Sequence, residues 1–382
     1  MELLDDSIVP EDTRERKVAA RAFAAAEIEP VVEEYYASGE YPWDVLEAAM
    51  DAGFVAQHIA PEYGGRGDGL AELLAITEEF FRVDAGIALT IQLAGFGCDM
   101  LEQYGTDAQK RQYLRPVAEN DQISGLAVSE PETGSDLAGM STEATKVDGG
   151  YQLSGEKYWV GNAVEADWLT VYAKTGDRED RYSNYSVFIV ETDREGYHAE
   201  HVPEKIGMRA SKQGHIVLED CFVPETNLVG TEGGGFYMLA EFFNKGRVVV
   251  GGHGLGLAAA AIEEAESFVD TREAFGRTVS AFQAVQHTIA DMRLRFESAR
   301  ALVWRACRKV EAGENPGYWA ALAKTHATET AVFCAERSMQ LHGGRSVFAD
   351  RRISRVYRDA RIPVIYEGAN EIQRDLIFRQ RP

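Results

Sequence analysis

The sequence is poor in several things at once. It holds only four cysteines in 382 residues, Cys98, Cys221, Cys307 and Cys334, and none of them forms a CxxC pair. That scatter argues against a zinc site and a disulfide framework, and favours a reducing compartment. Lysine is scarce beside arginine, and positive charge is short overall: 39 Lys+Arg stand against 62 Asp+Glu, a net charge of −23. Repulsion from so acidic a surface disfavours nucleic acid as a partner. The same balance suits a salt-rich cytoplasm, where repulsion is screened, and suits an ordinary acidic enzyme equally well. Long apolar runs are missing too. The longest uncharged one, Val248 to Ile262, contains His253 and several glycines and reads as too short and too glycine-rich to span a bilayer. The N-terminus, Met1-Glu2-Leu3-Leu4-Asp5-Asp6, has no apolar signal core, so no export and a cytoplasmic location are expected. There is no internal repeat and no low-complexity linker.

What is present is ordinary for a soluble globular protein: 45 % apolar and 26 % charged residues. The length suggests two or three domains, and such a chain can bury roughly three quarters of its unfolded surface. Three textures follow one another. Residues 1–120 are helical and Ala/Glu-rich, broken at Tyr41-Pro42, where a new helix can start, and at a glycine loop from Pro61 to Gly67. Residues 121–230 carry short β-like runs between turn formers, among them Lys157-Tyr158-Trp159-Val160, Trp168 to Ala173, Tyr185 to Val190 and His215 to Leu218, which read as an antiparallel sheet or small barrel. Residues 231–382 are helical again. Phe282, Val285, Ile289, Met292, Phe296, Ala299, Val303, Ala306 and Val310 form one stripe along a long helix, with a capping-box pattern at Ser280 and Gln283 and Gly313 past its end. A second stripe runs through Trp319, Leu322, His326, Thr330, Phe333, Arg337 and Leu341, so a helical bundle is expected.

Four segments can carry chemistry, and each also has a plain structural reading. Ala127 to Asp136 is a strand end followed by small and hydroxyl residues, able to approach a flat polar ring or a phosphate; it could also be a simple turn. Lys157 to Asn162 places an indole beside a glycine, suited to packing on a planar cofactor or to an ordinary sheet core. Arg272 to Arg277 and Gln340-Leu341-His342-Gly343-Gly344 combine arginine with free backbone N–H groups, suited to a pyrophosphate, while the two glycines also suit a helix stop. Pro363 to Gln373 sets Glu367 between an apolar run and a glycine, where desolvation would make it a usable base; an exposed or capping glutamate is the alternative.

The order and spacing of these segments resemble the acyl-CoA dehydrogenases over nearly the whole chain. The resemblance takes in Tyr63-Gly64-Gly65, Glu204 to Arg209, Leu218 to Pro224, Asn227 to Gly230, Gly235-Phe236, Arg358 to Ile362 and Ile372-Gln373-Arg374. It implies a multidomain α+β fold, with an N-terminal helical domain, a middle antiparallel β domain and a C-terminal four-helix bundle. It also implies FAD held at a subunit interface in a homotetramer or dimer. By motif position, Val128, Ser129, Trp159 and Gly161 would lie along the flavin, and Arg272, Phe275, Gln340, Gly343 and Gly344 would grip the pyrophosphate and adenosine of the neighbouring subunit's FAD. Ala369 and Glu371 would add cofactor contacts, and Ser135, Arg247 and Gly368 substrate contacts. No metal is implied.

Glu367 resembles the family's base, which removes the α-proton of the thioester while the β-hydride passes to flavin N5. The product would be a trans-2-enoyl-CoA, with an electron-transferring flavoprotein as acceptor and a place in fatty-acid β-oxidation. In one branch the base precedes the residue matching Arg247; here that position is Gly246, which favours Glu367 again. Three departures stand out. Gly161 replaces a Thr or Ser whose hydroxyl would reach flavin N5, which keeps an acyl-CoA oxidase in view; Thr133 replaces a small residue; Ser346 replaces a glycine. Ala88 stands near the place of a glutaryl-specific arginine, so an apolar acyl chain is expected rather than a dicarboxylate. The Arg351, Arg352, Arg355, Arg358 and Arg361 stretch reads as a salt-bridged or inter-subunit surface. A non-enzymatic relative is disfavoured by the intact cofactor set.

Overall fold

A computed structural model describes residues 6–382. The acidic start from Met1 to Asp5, on which the expectation of no export rests, lies outside the described residues.

The chain begins with helices α1 (Arg14–Phe23), α2 (Val32–Ser38), α3 (Trp43–Asp51), α4 (Leu70–Val83), α5 (Ala85–Leu93) and α6 (Cys98–Tyr104). Short α7 (Asp107–Gln109) and α8 (Arg115–Ala118) are joined by a π-helical turn, Lys110–Leu114. The start of α3 follows Pro42, and the glycine loop forms a turn in which Gly64 has φ +92°. One carboxylate ties this domain to the distant bundle. Glu78 of α4 accepts from Lys17 at 3.2 Å, from Arg300 at 3.2 Å and from the Trp304 indole at 2.9 Å, all fully or nearly fully buried. Burial alone would raise its pKa, but Arg300, Lys17 and these hydrogen bonds hold it below the ordinary carboxylate value.

Eight strands follow: β1 (Ser124–Ala127), β2 (Glu143–Val147), β3 (Gly150–Gly161), β4 (Trp168–Lys174), β5 (Tyr185–Glu191), β6 (Tyr197–His201), β7 (Gln213–Pro224) and β8 (Leu228–Val229). They form one sheet in the order β6-β7-β3-β2-β4-β5-β8, with β1 beside β4. The sheet is mixed, which corrects the antiparallel expectation: β1 runs parallel to β4, with Ser124 opposite Trp168, and β2 meets β4 in parallel at Glu143. The reason is connectivity. β1 leaves the helical domain and is followed by the long Val128–Ser141 excursion, so no hairpin dictates its direction.

The rest is helical: α9 (Gly235–Thr271), a small hairpin of β9 (Glu273–Ala274) and β10 (Arg277–Thr278), α10 (Gln283–Glu311), α11 (Pro316–His342), α12 (Arg352–Ala360) and α13 (Asn370–Gln380). The run Val248–Ile262 is part of a 37-residue helix that is long and apolar enough, by length and composition, to cross a membrane; 89 % of its apolar window is buried inside the protein. This corrects the reading of the run as too short. Its surface is spent on the core, and glycines let neighbours approach: a Cβ on Gly254 would stand 2.6 Å from the Ala327 backbone.

The stripe on α10 is buried from Met292 to Val310, but Val285 and Ile289 are only half-buried. The stripe assigned to α11 needs correction. Its fully buried face is Ala320, Ala323, Ala327, Ala331, Cys334 and Ala335, while Trp319, Leu322, His326 and Phe333 sit at the margin. Large side chains marked the wrong face because helices pressed this closely pack on small ones. The capping box at the start of α10 does not form either. Its N-cap is Phe282 with no side-chain bond, and Ser280 instead accepts, through its carbonyl, from Gln286 Nε2 at 3.1 Å. Arg352 pairs with Glu264 at 3.2 Å and Arg355 with Asp84 at 3.4 Å, in keeping with the salt-bridged reading. All four cysteines are free and buried.

Candidate active site

Between α12 and α13 the chain makes a tight turn that presents one carboxylate. Asn370 N–H donates to Val364 O at 3.1 Å, closing the loop around Glu367 and Gly368, which lie at φ +55° and +86°. A left-handed glutamate is uncommon and costs backbone energy, so the surrounding structure must impose it. At Gly368 the φ of +86° favours glycine, and a Cβ would also stand 2.5 Å from Gln373 Nε2, displacing that amide. The carbonyl groups of the turn are well held. Lys324 Nζ donates to Gly368 O at 2.8 Å and to Asn370 Oδ1 at 2.9 Å, Gln373 Nε2 to Gly368 O at 3.0 Å, and Arg247 Nε to Glu367 O at 3.4 Å.

The carboxylate itself is not held. Glu367 Oε2 is shielded from solvent and has no hydrogen-bond partner, and no acceptor for the Glu367 N–H is found among the described residues. The group lies against Gly246, where a Cβ would come within 2.6 Å of Oε2, so a side chain at 246 would push this carboxylate from its place. Burial pushes the Glu367 pKa up to about 7, opposed by Arg247 and Lys324 and assisted by Asp99. Burial also brings the Lys324 ammonium down to about 7. A desolvated carboxyl poised near neutrality is what proton abstraction from carbon requires.

Glu367 opens into a cavity of about 860 Å³. One wall is the β domain, with Val128, Ser129, Trp159 and Gly161; the other is α9 with Gly246, Arg247 and Val249; Phe80, Phe81, Ala88 and Leu89 form an apolar end. Ser135 and Gly368 also line it, as does Ala369. Trp159 faces this space because β3 slips register against β7 between Lys157 and Val160, leaving Trp159 at φ +59° and 55 % exposed. The loop beneath is fixed by a buried pair: Lys157 Nζ donates to Val128 O at 2.9 Å and to Glu130 at 3.0 Å, and Glu130 accepts from the Ser141 and Thr142 N–H groups. Although burial opposes it, Lys157 and these donors bring the Glu130 pKa down to about 2. At Gly161 a Cβ would stand 2.7 Å from Leu93 Cδ1, so the space of the missing hydroxyl residue is taken by Leu93.

The remaining expected cofactor residues lie elsewhere. Arg272, Phe275, Gln340, Gly343 and Gly344 are exposed, Phe275 by 95 %, and none lines the cavity. They share one end of the bundle, where Phe268 of α9 stacks on His342 of α11 at 4.3 Å. Open space faces both Gly343 and Gly344, as an anion cradle needs, and Ser346 Oγ ties the turn by donating to Gly343 O at 2.8 Å. Glu371 is exposed and does not line the cavity. The space beside Trp159 and the open glycines suit the ring and the pyrophosphate of a flavin dinucleotide respectively. Sequence reasoning missed Lys324 and Gln92, and took in Lys157, Glu130 and Tyr366 only as members of the singled-out segments, with no role of their own. Of His253 it registered only an interruption of an apolar run, which was the one available signal.

Comparison with known proteins agrees. Models of the acyl-CoA dehydrogenase N-terminal, middle and C-terminal domains match residues 10–121, 125–221 and 233–381. An acyl-CoA dehydrogenase of Bacillus subtilis is 32 % identical over 373 residues, covering 97 % of this chain and 98 % of the relative. The structure of butyryl-CoA dehydrogenase from Megasphaera elsdenii matches with a TM-score of 0.93 at 30 % identity, over 97 % of this chain and 98 % of that one. A glutaryl-CoA dehydrogenase from Mycobacterium smegmatis in complex with FADH2 matches with a TM-score of 0.91 at 25 % identity, over 98 % and 96 %.

Proposed function

From the premise that this chain belongs to the acyl-CoA dehydrogenase family and is an FAD-dependent oxidoreductase, we propose that it converts an acyl-CoA thioester to the trans-2-enoyl-CoA. The observation that carries this reading is the Glu367 carboxyl, whose Oε2 is shielded from solvent without a hydrogen-bond partner, at the wall of a cavity of about 860 Å³. In the proposed reaction Glu367 takes the α-proton. FAD, when bound against Trp159, Val128 and Ser129, supplies the acceptor for the β-hydride. The free Glu367 N–H donates to the thioester carbonyl and stabilises the charge that builds there as the α-proton leaves. Arg247 and Lys324 hold the turn by its carbonyls, so the carboxylate is aimed without being neutralised by an ion pair. The apolar walls keep water from competing for the base.

The enzyme would work in the cytoplasm, in fatty-acid β-oxidation, and pass electrons to an electron-transferring flavoprotein. A homotetramer or dimer would cover the exposed Phe275 and complete the far end of the FAD site. Anaerobic titration with a panel of acyl-CoAs tests the reaction: bleaching of the flavin band supports it, and a flavin that stays oxidised with every thioester defeats it. Gly161 favours a second reading, an acyl-CoA oxidase, since no hydroxyl stands at that position. Hydrogen peroxide formed per flavin reduced separates the two.

A further inference from the structure

The apolar end of the cavity holds a polar chain that a saturated hydrocarbon cannot use. His253, 3 % exposed, contacts Tyr366 Oη through Nδ1 at 2.6 Å and Gln92 Oε1 through Nε2 at 2.6 Å. Its ring stacks on Phe81 at 3.9 Å with an interplanar angle of 5°. All four residues line the cavity that Glu367 opens into. Among the described residues no charged group opposes its desolvation, so the imidazole stays neutral, its pKa brought down to about 3. A neutral imidazole has one N–H and one lone pair, which fixes the proton count along the chain. If Nε2–H donates to Gln92, then Tyr366 O–H donates to Nδ1, and the Gln92 amide N–H groups are left over. If the amide faces the other way, Gln92 donates to Nε2, Nδ1–H donates to Tyr366, and the Tyr366 O–H and Gln92 carbonyl are left over. Either arrangement leaves Gln92, and in the second case Tyr366 too, with hydrogen-bonding capacity at the cavity.

Position makes this a subsite. His253 follows Gly246 by two turns on the same face of α9, which places it about 10 Å beyond the point where Gly246 meets the Glu367 carboxylate. That distance is the reach of a medium-length acyl group, and the walls between, with Val249, Val250 and Leu89, are apolar. Building on the dehydrogenase reading above, we infer that the preferred acyl group carries a neutral oxygen function, a hydroxyl or carbonyl, on its distal part, received by Gln92, His253 and Tyr366. A carboxylate is disfavoured there, because the imidazole is neutral and neither Gln92 nor Tyr366 brings a positive charge. A buried polar site discriminates strongly against an analogue that leaves it unpaired.

The test is flavin reduction by length-matched pairs: octanoyl-CoA against 8-hydroxyoctanoyl-CoA, and 3-phenylpropanoyl-CoA against its 4-hydroxyphenyl analogue. In at least one pair the oxygenated member should have the higher kcat/KM, on the order of tenfold. In Gln92→Leu and His253→Phe, the latter keeping the stack on Phe81, that ratio should collapse toward one. The dissociation constants of the matching enoyl-CoA products, read from the shift of the flavin band, should lose the same preference and report even where turnover is impaired. Equal or better reduction by both plain acyl groups overturns the inference while leaving the dehydrogenase reading intact, and so does a preference that survives Gln92→Leu. If no thioester of either kind reduces the flavin, both readings fall.

Discussion

Two carboxylates, Glu78 in the core and Glu367 at the cavity wall, show how one chain treats the same functional group in opposite ways. Glu78 sits where α4 meets α10, and its oxygens accept from Lys17, Arg300 and Trp304. Glu367 has cations near it as well, but Arg247 and Lys324 are turned to the carbonyls of its loop, leaving Oε2 with no donor. Burial opposes ionisation in both places. At Glu78 direct pairing wins and the pKa falls; at Glu367 burial wins and the pKa rises to about 7. The difference lies in where the donors point. Here the satisfied carboxylate is a structural joint, and the one that faces the cavity is the candidate base.

Exchanging each carboxylate for an amide should break the comparison most sharply. Glu367→Gln should lose about 10²–10⁴-fold in the rate of flavin bleaching by acyl-CoA while still binding FAD. Its thermal unfolding should match that of the parent at acid pH, because no ion pair is lost, and should rise above it at neutral pH, where the parent carries an ionised carboxylate that burial disfavours. Glu78→Gln should do the reverse. It leaves Arg300 facing a neutral amide, while Lys17 keeps Glu79 at 3.6 Å, a loss of roughly 3–5 kcal/mol, read as a lower denaturant midpoint. A Glu78→Gln protein as stable as the parent would refute the joint.

pH sharpens the same contrast, because the two groups are linked to stability with opposite signs. Glu78 has a folded pKa below its unfolded one, so its contribution is present above the unfolded value and is lost as pH falls through the folded one. Glu367 has its folded pKa raised from 4.5 to about 7, so the folded state binds the extra proton between those values. Its contribution is therefore lost as pH rises through that window. Replacing Glu367 by Gln should flatten stability against pH from about 4.5 to 7, while the activity of the parent rises through pH 7. In Lys324→Met the Glu367 pKa should climb further, since a positive charge that favours its ionised form is gone. The acid limb of kcat/KM should then move to higher pH, with about a tenfold loss at neutrality for each unit of movement. An unmoved limb would mean that Lys324 only props up the loop.

These pairings also mark the limit of what sequence alone could tell. The three textures, the helix after Pro42 and the long stripe on α10 were legible because they are local and periodic. Glu367 was legible through its apolar and glycine neighbours. Glu78 was not, because its partner Arg300 stands in another domain and a glutamate on an amphipathic helix reads as surface. Lys324 and His253 were hidden for a similar reason: each lies in an Ala- or Gly-rich helix whose buried face is set by neighbours that only the fold brings close. The face of α11 was misread because bulk was weighed above closeness of approach. Arg272, Phe275, Gln340, Gly343 and Gly344 were singled out by spacing, and a single chain gathers them at an exposed end. Arg272→Ala should weaken FAD binding about tenfold or more, measured by flavin retention on dilution, without moving the pH limb of Glu367.

The smallest expected effect concerns Gly161, where a Cβ would meet Leu93 Cδ1 at 2.7 Å. The clash is with the end of a side chain that borders the cavity, so Leu93 can turn away, and Gly161→Ser should cost only about 1 kcal/mol. Leu93→Ala opens the space the serine needs, so the double variant should be more stable than the sum of the two single changes. That coupling separates packing from chemistry. If the absent hydroxyl is what admits oxygen, peroxide per flavin reduced should fall in the double variant and not in Leu93→Ala alone. Should it fall equally in both, the width of the cavity beside Leu93 governs oxygen access, and Gly161 is there to make room for that leucine.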